Sequence, residues 1–166
     1  MLASQITYDM YETSKRYFKN AENFMHLSDN KLQYRKLTET FHFVINGNYF
    51  EILPGFWWDG ASIPRFLWTL IGSPWEEDIA PGALIHDVLY GSQVFKRKIS
   101  DEVMYHINVL NGMGKIKANS VYSGLRMGGS GAWNNKTKEI INGVRKHLKI
   151  NDKLAIKYDN FNFLYV

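Results

Sequence analysis

The stretch from Pro54 to Asp101 constrains this chain most, because the hydrophobic pattern changes period across it. Before it, apolar residues alternate as on a strand; after it, they recur at helical spacing. Three segments fill the stretch: PGFWWDGASIPRFLW, LIHDVLYG and KRKISDEVMYHI. They gather Asp59, Ser62, His86, Asp87, Tyr90 and Asp101 among tryptophans and glycines. A bare scaffold needs no such collection of polar groups. The gathering is either an active site or a buried polar hub.

On the strand side, Leu37, Phe41, Phe43 and Ile45 share one face of a β-branched and aromatic run. Asn46-Gly47-Asn48 supplies a tight reversal, and Tyr49 to Leu53 returns, which predicts a β-hairpin closed by Pro54-Gly55. Residues 1–35 hold neither period and read as an N-terminal arm, a short helix or irregular. Beyond the hairpin, a structured loop leads into a short helix from about Pro64, with Ser62 near its start as a plausible cap.

Ile79 to Tyr90 reads as a buried helix, and Gly91-Ser92 as its break. Residues 93–99 read as a basic connection. Ser100 is the expected cap of the next helix, which puts Asp101 and Glu102 in its first turn, where the helix dipole favours carboxylates. A third helix is expected over about Lys117 to Met127, then a Gly128–Gly131 turn. A fourth, over about Thr137 to Leu148, would bury Ile140, Ile141, Val144 and Leu148. Leu154–Tyr158 and Phe161–Val166 form a second hairpin candidate. The fold class is α+β: residues 36–166 form a single domain of antiparallel hairpins packed with about four to five helices.

Composition narrows the chemistry. The chain is 166 residues long and 45% apolar, enough for one well-filled core, and its 15% aromatic share predicts a core or partner surface built on rings. It carries a net charge of +4 with its bases spread out, Lys96-Arg97-Lys98 excepted, so no nucleic-acid partner is expected. The absence of cysteine excludes disulfides, thiolate metal sites and cysteine nucleophiles. No apolar run is long enough for a signal peptide or a transmembrane segment.

The candidate chemistry centres on an imidazole. Neighbours on a helix diverge by about 100°, so His86 and Asp87 address different partners. If His86 faces the helix that carries Asp101, that carboxylate accepts a proton from one ring nitrogen, and the other nitrogen points outward as a base. Asp87 would look back toward Asp59 and Gly60, where oxygens could complete a calcium or magnesium site. Such a pairing activates water and stabilises an oxyanion.

Two resemblances follow from these residues. The run from Leu37 to Trp133, with PGFWWDGASIP, His86-Asp87-Val88-Leu89-Tyr90, the basic stretch to Asp101, and Arg126-Met127-Gly128, resembles an uncharacterised family from tailed bacteriophages and prophages. That resemblance implies phage origin, virion proteins as partners, and a place in the host cytoplasm or the virion. The His-Asp-x-x-Tyr helix followed by a helix bearing Asp is similar to secreted phospholipases A2, especially the bacterial kind. That likeness implies His86 as base, Asp87 as ligand of a Ca2+ cofactor, and Tyr90 and Asp101 as supports, acting on lipid or cell-envelope substrates. The chain lacks that family's disulfides and a recognisable calcium loop.

Plainer readings stand beside these. His86 could be a core histidine satisfied by Asp101, Asp59 before Gly60 a turn former, and Ser62 a helix cap without a nucleophile's surroundings. Tyr90 could be a core ring with a bonded hydroxyl. Trp57 and Trp58 could pack, or could line a pocket beside the polar loop. The functional alternatives are therefore a cation-assisted hydrolase of esters or amides and a non-catalytic virion or tail component.

Overall fold

A computed structural model describes residues 8–9, 24–29, 32–45, 48–59, 72 and 78–150. Among them, seven strands precede and follow a block of five helices. The strands are β1 (Tyr8–Asp9), β2 (Phe24–Asp29), β3 (Leu32–Leu37), β4 (Phe41–Ile45), β5 (Asn48–Ile52), β6 (Trp57–Trp58) and β7 (Leu148–Ile150). The helices are α1 (Ala80–Ser92), α2 (Arg97–Leu110), α3 (Lys115–Gly128), α4 (Ser130–Asn134) and α5 (Lys138–Arg145). This is the α+β domain that the pattern predicts.

The strands form two antiparallel sheets, ordered β1-β4-β5-β7 and β2-β3-β6. The predicted hairpin is β4–β5, with Phe43 opposite Phe50 and their rings stacked 4.9 Å apart. Its odd-numbered face is the buried one: Phe41, Phe43 and Ile45 are all at most 2% exposed, as is Leu37 at the end of β3. The β3–β6 pairing carries on to that residue, where Leu37 N–H donates to Phe56 O and Gly55 N–H donates to Leu37 O. Gly55 adopts φ +93°, a left-handed geometry that side chains resist, and the His147 ring lies against it.

Three expectations need correction. Residues 24–29 and 32–37 pair as strands rather than forming a short helix or irregular arm. Leu32, Tyr34 and Lys36 alternate with Gln33, Arg35 and Leu37 in a mixed pattern, so no clean apolar alternation marks a strand that pairs with β2 along its length and with β6 at Arg35 and Lys36. The turn expected over 128–131 is reduced to Gly129; Gly128 ends α3 and helical structure resumes at Ser130, with Trp133 N–H bonded to Gly129 O. The last helix stops at Arg145, so Leu148 is buried in β7 beside Ile52, and Ile140 is 45% exposed. The Pro64 helix and the 154–166 hairpin lie outside the described residues, as does Ser62.

Helix α1 is the axis of the molecule. Every residue in it except Asp87 is buried. A helix apolar on all sides must be covered on all sides. Leu84, Ile85, Val88 and Leu89 join the sheet residues in one core cluster. Ile79 and Ala83 join Met104 of α2 and Ala118, Val121 and Leu125 of α3 in a second. Full burial of each large aliphatic side chain contributes about 1.5–3 kcal/mol. Small residues admit the neighbours: the Asn108 amide lies against Gly82, and Val144 of α5 against Gly91.

Candidate functional site

Asp87 is the exception on α1, and its position defines the site. Turned about 100° from His86, it faces a cleft of about 250 Å³ rather than the core. Asp59, just past the end of β6, lines the same cleft. Tyr34, Phe56, Trp57, Trp58 and Tyr90 supply aromatic walls, and Lys136 lies on the rim between α4 and α5. Trp58 is 2% exposed and mainly packs, whereas Trp57 is 41% exposed.

Behind Asp87 runs a line of charged groups. His86 Nδ1 is 3.9 Å from Asp87 Oδ1, and His86 Nε2 is 2.9 Å from Asp101 Oδ1. The other oxygen of Asp101 accepts from Arg126 Nη1 at 2.6 Å. Tyr90 covers the imidazole, with ring centroids 4.3 Å apart, and its hydroxyl donates to Gly129 O at 3.4 Å. His86 is 1% exposed and Asp101 has no exposed surface. The contact between His86 and Asp101 is thus present, but the second ring nitrogen faces Asp87 instead of pointing outward. The physical reason is the apolar surroundings of α1, which leave water no route to the ring.

Helix α2 explains how Asp101 reaches this place. It begins at Arg97, one turn before the expected Ser100 cap. Ile99 N–H and Ser100 N–H both bond to Lys96 O, and Ser100 Oγ turns back to the same carbonyl. Arg97 donates to Arg126 O and to Leu125 O, which also accepts the capping Gly129 N–H, at the C-terminal end of α3. The basic stretch is therefore partly a clamp between helices rather than a solvated connection. Asp101 lies in the second turn, and cations rather than the helix dipole balance its charge.

The electrostatics follow from this geometry. Burial disfavours the charged imidazolium of His86, but hydrogen bonds and charge from Asp101 and Asp87 outweigh it and raise its pKa. Burial also raises the Asp87 pKa, to about 7; His86 counteracts the rise and the adjacent Asp59 adds to it. Asp87 and His86 stand close enough that the ionisation of each depends on the other, which makes them a coupled pair. Burial, and then the charge of Asp101, raise the Tyr90 pKa.

Sequence reasoning brought His86, Asp87, Tyr90, Asp101, Asp59 and the Trp57-Trp58 pair to one region, and the structure places them there. It missed Lys136 and Tyr34, and it named Arg126 only within the family pattern, with no role at the site. Arg126 closes a helix that starts far along the chain, so only the α2–α3 packing reveals its target. As for a metal, Asp59 and Asp87 are two oxygen-bearing side chains on one wall. Among the described residues no group of three or more histidines, cysteines or carboxylates could hold an ion.

The comparisons agree on one point. The family described as protein of unknown function DUF1353 matches residues 35–125, which include the hairpin, α1, α2 and most of α3. The chain belongs to that family. An uncharacterised protein, y4iH, of Sinorhizobium fredii is 38% identical over 64 residues, 39% of this chain. The match spans only 27% of that relative's length. No solved structure matches the chain. No helix among the described residues is long and apolar enough to cross a membrane.

Proposed function

We propose that this protein is a phage-encoded hydrolase of ester or amide bonds in lipid or cell-envelope material, with Asp87 as the group that exchanges a proton with substrate. The observation that carries the reading is the exceptional position of Asp87: the other residues of α1 are buried, and this one opens on a concave, aromatic-walled cleft. A carboxyl group whose pKa is near 7 exchanges protons efficiently at neutral pH. Asp59 stands beside it in the cleft. His86, Asp101 and Arg126 are positioning residues that hold Asp87 from behind. The phage origin rests on the DGASIP and His-Asp-x-Leu-Tyr pattern.

The calcium expected from the sequence would compete with the proton on Asp87, since Asp59 and Asp87 would be two of its ligands and carboxylates bind metal in their ionised form. Calcium takes about six to eight oxygens, so backbone or substrate groups would supply the rest. Calorimetric titration with calcium tests this: heat from the native protein that Asp87→Ala abolishes supports the ion, and no heat from the native protein removes it.

The hydrolase test uses purified protein on phospholipid vesicles and isolated cell envelopes, with products read by mass spectrometry. The expected result is product from the native protein and at least about a hundredfold less from Asp87→Asn, the scale of a lost proton-transfer group. Equal yields from the two proteins would remove Asp87 from the chemistry.

One observation favours a second reading, a virion or tail component. Ile116 and Met127 are 87% and 80% exposed and lie on one face of α3, which suits docking on a neighbour. Mass spectrometry of purified particles decides it; absence of the chain from them would exclude a virion role.

A further inference from the structure

We propose that the cleft seats a sugar ring of a glycan, so that the substrate of the hydrolase reading is the saccharide-bearing part of the cell envelope. The inference rests on that reading for its site, but it concerns binding and can fail separately. Three observations carry it: the shape of the cleft, the rings that wall it, and its charge balance.

A volume of about 250 Å³ suits a compact ring better than an extended chain. Trp57 is accessible at the rim, and Tyr34 is half-buried beside it. Sugar rings have flat faces made of C–H groups that lie against aromatic rings, while their hydroxyls point outward in the ring plane. Asp59, Asp87 and Lys136 stand where those hydroxyls would meet an acceptor or a donor. A purely apolar ligand such as an acyl chain would leave these polar groups desolvated without partners, which is costly.

The charge balance decides against the main rival, an organic cation held in an aromatic cage. Asp59 and Asp87 line the cleft with Lys136, and His86 faces Asp87 from behind. Asp101 is matched by Arg126. Tyr90, whose pKa is raised, is neutral near pH 7. His86 beside Asp87 and Lys136 on the same lining offset part of this negative charge, which weakens the pull on a large organic cation. A neutral ligand with many hydroxyls fits such a wall.

Saturation-transfer NMR with a trimer of N-acetylglucosamine, and cosedimentation with isolated murein sacculi, test the proposal on the full chain. Choline chloride serves as the cationic probe. The native protein is expected to transfer saturation to the sugar-ring protons and to sediment with the sacculi. Trp57→Ala and Asp59→Asn are each expected to weaken the trimer about tenfold, the scale of one stacked ring or one charge-assisted bond. Trp57 and Asp59 are both exposed, and circular dichroism checks that both variants fold. No transfer to the sugar from the native protein, or equal transfer from both variants, would overturn the proposal, as would binding of choline in place of the sugar. Sugar binding without any bond cleavage would sink the hydrolase reading alone.

Discussion

Asp101 has no exposed atom and meets a cationic or ionisable partner through each of its oxygens. Replacing it with alanine strands His86 and Arg126 together. Breaking a buried pair by removing one partner costs about 3–5 kcal/mol, although Arg126 is partly exposed and recovers some hydration. Urea unfolding of Asp101→Ala is therefore expected to show a loss of at least about 2 kcal/mol. A loss below about 0.5 kcal/mol would reduce the arrangement to an ordinary surface ion pair. At this scale the sequence was informative about His86 and Asp101, because the divergence of helical neighbours sends His86 and Asp87 to different partners. It was silent about the target of Arg126, whose contact depends on how α2 and α3 pack.

Elements show a similar division. The β4–β5 hairpin was legible because its apolar residues alternate and its turn residues stand together. Helix α1 was legible as buried, though it runs through Gly91-Ser92 and ends at Gln93, which takes φ +49°. Gly91 is needed there for close packing rather than as a break, since a Cβ on it would stand 2.8 Å from Val144 Cγ2. Gly91→Ala should destabilise the fold by about 1–3 kcal/mol, and pairing it with Val144→Ala should recover part of that loss. A double-mutant cycle by thermal unfolding checks this; strict additivity would mean that α1 and α5 do not press together at this point. The start of α2 was misread because Ser100 is a good cap in isolation, while the bonds of Arg97 to α3 are non-local.

Across the whole molecule, the coupled pair gives stability a direction with pH. Asp87 holds its proton more tightly when folded, up to a pKa of about 7, than an unfolded carboxyl group at about 4 does. Its contribution is fully present below about pH 4 and is lost as pH rises to about 7. His86, also raised, acts in the same sense from about pH 6.5 upward. Asp87→Asn removes the carboxyl term, so between pH 5 and 8 the variant should gain about 1–3 kcal/mol relative to the native protein. Chemical denaturation at both pH values measures this gain, and an unchanged difference would place Asp87 in an ordinary solvated setting.

All of these expectations meet in the ionisation of one side chain that turns away from the core. Carbon-13 NMR titration of the Asp87 carboxyl group, assigned by comparison with Asp87→Asn, reads it directly. A midpoint near 7 that falls when Asp59 is changed to Asn is the predicted result. A midpoint near 4, unaffected by that change, would contradict the site described for this protein.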